Sequence, residues 1–307
     1  MSKHALVMGW FSFELMGATA GDVIAKDVAC DWLRSAGFVP EVAMVSPGAA
    51  GEIATADVVP EDYDTLLFVC GPIGDGPPLN EFLDRFPHAR KFALNVTLLQ
   101  RRSDWNPFVA IVERDSHDRV NPDITFAAPN STVPVVGLIY VGPQDEYPTH
   151  RHDLAEQAFA AALQGRDIAI VPIDTRLDVN KHGLTSPGQV EAAIAKMDAI
   201  LTTRLHGAVL ALRRHVPPVV IDSIPGGTKV LAQMERIGWP LVFHTGDLDF
   251  ARVSAALDFA LTPEARELAA QCASKAAEAT NALRRELLEA MAAETPAPHT
   301  EMAHAHK

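Results

Sequence analysis

Short apolar runs alternate with amphipathic stretches along most of this chain. In the first half, the patterning predicts strands at 4–8, 41–45, 65–69, 91–96 and 108–112, and a helix over 22–36. The second half begins again with "VPVVGLIYV" (133–141) and "IAIVPI" (168–173), followed by apolar runs at 199–201, 219–221 and 241–243. Between them, helical spacing appears near 153–163, 187–196, 206–213 and 228–237. Strands separated by helical segments are the signature of a parallel sheet covered on both faces, because each crossover lays a helix against the sheet. The expected class is therefore α/β, with two Rossmann-like doubly wound domains.

Between the halves, "APNSTVP" (128–134) breaks the pattern and reads as a linker, which sets domains at 1–130 and 131–262. A long Ala-, Glu- and Arg-rich helix is predicted over 263–293, with Thr262 as its cap and Pro263 in its first turn. Its apolar stripe needs a surface, and packing across the two domains is the expectation. The tail 294–307 has no apolar period and reads as disordered, with His299, His304 and His306 as part of that tail and not as a metal site.

Composition narrows the function classes. With 307 residues, 48% of them hydrophobic, the chain is long enough to bury two cores. Lys and Arg total 26 against 39 Asp and Glu, a formal charge of −13 that repels polyanions, so nucleic acid is not an expected partner. Any anionic ligand must meet a local cationic pocket. Cys30, Cys70 and Cys272 form no CxxC pair, which suggests neither a disulfide framework nor a zinc site and fits a reducing, cytoplasmic setting. Lys3, the apolar stretch from Ala5 and Ala18-Thr19-Ala20 imitate a targeting signal, but Glu14 interrupts it and "HALVM" reads as a buried first strand. No uncharged stretch approaches the ~18 residues of a membrane span, so no integral membrane contact is expected.

Candidate chemistry concentrates in "TTRLHGAVLAL" (202–212), where a buried strand runs into a helix and the junction carries Arg204 and His206. A helix N-terminus presents unpaired N–H groups and a positive dipole end, so the junction is an anion site before side chains are counted. A guanidinium grips a carboxylate or phosphate through two hydrogen bonds, and an imidazole donates to an anion or carries a proton. Gly207 is read as letting a ligand approach the backbone. The bland reading pairs Arg204 with Asp198 or Asp222 and makes His206 an ordinary helix-start residue. A second junction, "VVIDSIPGGTKV" (219–230), repeats the design with a turn at Gly226 and Gly227, then Thr228 and Lys229. In a parallel sheet both loops emerge at the carboxyl edge, where such folds bind ligands. It is not a Walker loop, since the GK[ST] order is reversed. In the first domain, Glu14, Asp22 and Arg114 follow strands and are candidates for facing residues, with Asp22 equally read as a capping residue and Arg114 alone as an exposed loop arginine.

The stretch "MDAILTTRLHGAVLALRRHVPPVVID" (197–222), with "TSPGQVEAAIAKMD" before it and "GGTKV" after it, resembles the polysaccharide pyruvyl transferases. The segments "ERDS" and "NPD" (113–123) and "AGDVIAKD" (20–27) are similar to two further features of that family. The resemblance implies a fold of the glycosyltransferase B type, with phosphoenolpyruvate held by the second domain in a cleft and its pyruvyl group passed to a sugar. Arg204, Leu205 and His206 would then contact phosphoenolpyruvate, Lys229 would assist, and Arg114 would reach over from the first domain. The early loop departs from the family, which often has an Asn two positions before Gly-Asp where this chain has Thr19.

The chemistry needs fixed cations for a phosphate and a carboxylate, and groups that move protons. His206, Asp22 and Glu14 are the candidates for proton transfer, in that order. No metal or cofactor is expected; phosphoenolpyruvate is a co-substrate and the acceptor is carbohydrate-like. Two other readings stand beside this one: a nucleotide-sugar-dependent glycosyltransferase of the same fold, and a non-catalytic anion-binding homologue. The sequence leaves open whether the chain forms a homo-oligomer.

Overall fold

The computed structural model describes residues 3–14, 17–142, 149–225 and 229–292. The chain divides into two compact units, Met1–Ser131 and Thr132–Lys307. The expected tail 294–307, with its three histidines, lies outside the described residues.

In the first unit the strands are β1 (Lys3–Met8), β2 (Phe38–Met44), β3 (Glu52–Ala54), β4 (Thr65–Val69), β5 (Pro72–Ile73), β6 (Arg90–Leu98) and β7 (Ala110–Asp115). The helices are α1 (Ala20–Ser35) and α2 (Leu79–Asp84). All the strand pairs are parallel, in the order β3-β2-β1-β4-β6, with β5 and β7 both pairing with β6. Alternate residues of each strand face opposite sides of the sheet. Leu6, Met8, Leu66 and Phe68 pack with Leu79, Phe82 and Leu83 of α2, whereas Val7, Leu67 and Val69 pack with Ala25, Ala29 and Cys30 of α1. That two-sided burial is why β1 and β4 read as near-continuous apolar runs and not as alternating ones.

In the second unit five parallel strands, β8 (Val135–Ile139), β9 (Ala169–Pro172), β10 (Ala199–Thr202), β11 (Pro218–Asp222) and β12 (Val242–His244), lie in the order β12-β11-β10-β8-β9. Among the described residues six helices accompany them: α3 (His152–Leu163), α4 (Pro187–Ile194), α5 (Leu205–Arg213), α6 (Lys229–Ile237), α7 (Phe250–Ala260) and α8 (Pro263–Ala292). One face buries Ala199, Leu201, Val219 and Ile221 under α3 and α7, which present Phe159 and Leu257. The other face buries Ile139 and Ile200 under α4 and α5, and Val220 under α5 and α6. Both units are thus doubly wound α/β sheets.

Thr262 accepts a hydrogen bond from Ala265 N at 3.3 Å and so caps α8 as its sequence indicates. Helix α8 packs on α5, α6 and α7 of the second unit, with Ala265, Ala269 and Cys272 buried.

The strand order locates the topological switch point of the second unit. The chain runs outward from β8 to β9, then crosses back to β10 on the other side of β8 and continues outward to β11 and β12, so the sheet has its topological switch point between β8 and β10. Crevices outside the carboxyl ends of the strands at such a point bind ligands in open α/β sheets.

Candidate functional site at the carboxyl edge of the second sheet

A cavity of about 740 Å³ opens at that edge. It is lined by Tyr140 and Val141 after β8, Asp174 and Arg176 after β9, and Thr203, Arg204, Leu205 and His206 after β10. Asp222 and Ser223 close β11 on the same cavity, and Lys229 enters it from the first residue of α6. Arg204, Leu205, His206 and Lys229, singled out from two separate junctions of the sequence, therefore share one pocket.

Local hydrogen bonds explain how the strand end is held. The Thr202 hydroxyl donates to the Ile139 carbonyl at 2.9 Å and accepts from the Arg204 N–H at 3.0 Å. The Thr203 hydroxyl accepts from the Val141 N–H at 2.9 Å, so the exits of β8 and β10 are tied together across the switch point. Arg204 then occupies the N-cap position of α5 with extended backbone and provides no side-chain cap. An α-helix without a side-chain cap leaves its first-turn N–H groups to solvent or to a ligand. The Arg204 side chain is half-buried, its Nη1 donating to the Thr175 hydroxyl at 3.1 Å while its Nε is buried without a hydrogen-bond partner.

Burial pushes the Arg204 pKa below its ordinary value; Asp174 and Asp178 oppose that and Arg176 adds to it. A guanidinium stays protonated even so. The consequence is a charged group with incomplete compensation, which an incoming anion would supply. The bland alternative of an Arg204–Asp198 pair is not made: Asp198 accepts from Val135 N at 2.8 Å and lies 3.6 Å from Arg266. His206 is exposed on the cavity, one residue into the first turn.

The second junction is organised by an acid. Asp222 is fully buried at the end of β11, and its two carboxylate oxygens accept from Ile224 N and Leu231 N, both at 3.1 Å. The second bond satisfies a first-turn amide of α6 and so fixes the helix start that carries Lys229. Gly226, Gly227 and Thr228, expected to contribute to this turn, lie outside the described residues.

Gly207 requires a correction. A Cβ built there would sit 2.4 Å from the Thr202 hydroxyl oxygen and 2.9 Å from Cγ2 of Ile139. The residue is buried and is not part of the cavity lining. Its small size serves close packing of α5 against β8 and β10, not the approach of a ligand.

The remaining sequence candidates belong to the first unit. Arg114 sits within β7 and not in a loop after it, with all three guanidinium nitrogens engaged: Nε with Asp115 at 3.1 Å, Nη1 with Asp123 at 3.1 Å and Nη2 with the Thr97 hydroxyl at 2.7 Å. Burial lowers its pKa, but hydrogen bonds and charge from Asp115 and Asp123 outweigh this and raise it. The hydrogen bond from Thr97, then Arg114, holds the Asp115 carboxyl below its usual value. Burial pushes Asp123 up, and hydrogen bonds from Thr125, Asn95 and Arg114 bring it below. Asp22 is the N3 member of a capping box on α1, its Oδ2 accepting from both the N–H and the hydroxyl of Thr19 at 2.8 Å. Glu14 is exposed.

Sequence reading passed over Thr175, Arg176 and Tyr140. The available signal was the polar run "DTRLDVN" (174–180) directly after a strand whose carboxyl end neighbours that of β8. Among the described residues, no group of three or more His, Cys, Asp or Glu is placed to hold a metal ion, and no helix is long and apolar enough to cross a membrane.

The fold is that of a doubly wound α/β protein with an arginine- and histidine-bearing helix start at the switch point of its second sheet. Residues 112–224 match the family model of the polysaccharide pyruvyl transferases, the family that the sequence resembles. That segment contains β8 to β11 and the whole of the Thr202–Arg213 junction and helix. No curated protein matches the chain. Among solved structures, the chain is similar to the glycotransferase of kitacinnamycin at 13% identity, over 89% of this chain and 94% of that one, with a TM-score of 0.31. It is also similar to the UDP-GlcNAc 2-epimerase of Methanocaldococcus jannaschii, at 10% identity, 85% and 93% coverage and a TM-score of 0.30. The same epimerase in complex with UDP-GlcNAc and UDP aligns at 10% identity, 86% and 94% coverage and a TM-score of 0.32.

Proposed function

We propose that the protein is a pyruvyl transferase that moves the pyruvyl group of phosphoenolpyruvate onto hydroxyls of a sugar-like acceptor, forming a ketal and releasing phosphate. The observation that carries this reading is the convergence of Arg204, His206 and Lys229 on one cavity. The first two lie within the segment that matches the pyruvyl transferase family.

Phosphoenolpyruvate carries a carboxylate and a phosphate on neighbouring atoms, and Arg204 and Lys229 are the fixed cations that would hold them in an otherwise acidic protein. In the proposed reaction a proton is delivered to the enol carbon C3, leaving a cationic centre at C2. An acceptor hydroxyl adds at C2 and gives up its proton to a base. The C2–O bond to phosphate breaks, the phosphate leaves with the bonding pair, and a second hydroxyl adds at C2 with loss of its proton to close the ketal. His206, exposed on the cavity two residues after Arg204, is our candidate for the acid that protonates C3. Asp22 and Glu14 rank below it, since the Asp22 carboxylate is already used by the α1 capping box.

The test is a paired titration and turnover assay. Phosphoenolpyruvate is expected to raise the melting temperature and nucleotide sugars to leave it unchanged, with phosphate released when an acceptor panel is added. A shift with nucleotide sugars alone would favour a glycosyltransferase. Tight binding of phosphoenolpyruvate with no phosphate release across the panel would favour a non-catalytic binding protein.

A further inference from the structure

The connection between β9 and α4, residues 173–186, is long and has no helix or strand of its own, a length at which structureless loops are uncommon and are usually functional. It is nevertheless tightly built around one side chain. Asn180 Nδ2 donates to the carbonyls of Asp174 at 3.0 Å and Arg176 at 2.6 Å. Its Oδ1 accepts from the N–H groups of His182 and Leu184, both at 2.9 Å. Two donors and two acceptor positions are all that a primary amide offers, so this side chain is fully used in closing the loop on itself.

What the closed loop presents is directed at the candidate site. Thr175 lies between the two carbonyls that Asn180 binds, and its hydroxyl accepts the bond from Arg204 Nη1 at 3.1 Å. Asp174, Arg176, Lys181 and His182 of the same loop line the cavity. Arg176 is itself held against Asp178 through Nε at 3.0 Å and Nη2 at 2.5 Å. Arg204 is the only residue of α5 or its cap that the loop touches by a side-chain hydrogen bond among the described residues, and that bond runs through Thr175.

We infer that Asn180 is a positioning residue for the donor site: by closing the 174–184 loop it places the Thr175 hydroxyl where it orients the Arg204 guanidinium for the anionic donor. The inference rests on the pyruvyl-transfer reading of the cavity and adds to it a residue that touches neither donor nor acceptor.

Calorimetric titration of the full chain with phosphoenolpyruvate tests it, together with phosphate-release kinetics. Asn180→Ala and Thr175→Val are each expected to weaken donor binding by about five- to ten-fold, the loss of one net hydrogen bond's worth of orientation, with kcat at saturating donor within two-fold of the parent. Asn180→Asp, which sets a carboxylate oxygen against two carbonyls, is expected to be no better than Ala. The decisive readout is the Arg204→Ala background, in which adding Asn180→Ala or Thr175→Val should change nothing further. Parent-like binding by Asn180→Ala or by Thr175→Val would overturn the inference, as would an undiminished effect of either when Arg204 is absent. Failure of the parent itself to bind phosphoenolpyruvate would instead remove the pyruvyl-transfer reading on which the inference rests. Should Asn180→Ala fail to fold, Asn180→Asp, which keeps an acceptor oxygen for His182 and Leu184 but loses the amide donors, takes its place, and Thr175→Val tests the hydroxyl separately.

Discussion

Gly207 and Thr202 stand so close that a single added carbon on the glycine would come within 2.4 Å of the threonine hydroxyl oxygen. The same hydroxyl binds the Ile139 carbonyl and the Arg204 N–H, so the space beside it is occupied by the bonds that build the site. Gly207→Ala is therefore expected to destabilise the protein by about 1–3 kcal/mol, as overpacking of a close-packed core does. Urea unfolding checks this, and parent-like stability would show that α5 yields without cost.

Arg204 and His206 are expected to fail in different ways. Arg204→Ala removes charge-assisted hydrogen bonds worth about 1.5–3 kcal/mol and should raise the KM for phosphoenolpyruvate by roughly 10- to 150-fold. His206→Ala removes the candidate acid and should lower kcat by about 10²- to 10⁴-fold with a smaller change in KM. Steady-state phosphate release resolves the two. The opposite split, with kcat lost at 204 and KM raised at 206, would exchange the roles assigned here.

The Arg114 network makes an acid-sensitive contribution. Asp115 and Asp123 both titrate below their ordinary values in the folded protein. A depressed carboxylate stabilises the fold above its unfolded pKa, near 3.8–4, and that stability is lost as pH falls through the native value. Arg114→Leu should therefore lower stability at neutral pH and flatten the fall in stability below about pH 4. Unfolding curves taken from pH 7 to pH 2.5 check both parts; an unchanged acid limb would mean that Arg114 does not set these carboxylates.

Helix α8 changes character along its length. Ala265, Ala269 and Cys272 are buried, whereas Leu283, Leu287, Leu288 and Met291 are exposed. Ala269→Leu should cost about 1–3 kcal/mol by overpacking against α5 and α6. Leu287→Ser should change stability by no more than about 0.5 kcal/mol. Chemical denaturation of the two variants checks the contrast, and a large loss at 287 would mean that the outer turns are covered in solution.

What could be read from the sequence follows from how local each signal is. Strands β1, β4, β8 and β10 are buried on both faces, and their unbroken apolar runs announced them. Strand β3 is three residues and β5 two, too short for any pattern to show. Helix α7 escaped because its buried positions are Val253, Ala256, Leu257 and Ala260, and two alanines in four give little apolar contrast. At the site, Arg204 and His206 were legible because charge at the exit of a buried strand has no local explanation. In the sequence Asp222 stands only as a potential partner of Arg204; the fold shows its two oxygens accepting from Ile224 N and from Leu231 N at the start of α6. Asn180 bonds only within its own loop, but the Thr175–Arg204 bond depends on how the ends of β9 and β10 flank β8, which no local pattern encodes.

The proposed role of the pocket at the second sheet's carboxyl edge is to neutralise a small, doubly acidic donor through Arg204 and Lys229. Its most direct test is the dissociation constant for phosphoenolpyruvate in the parent, in Arg204→Ala, in Lys229→Ala and in the double variant, measured by calorimetry at one ionic strength. Each single variant should bind more weakly, with heat from the double variant indistinguishable from dilution. Binding of phosphoenolpyruvate by the double variant with the parent's affinity would contradict it.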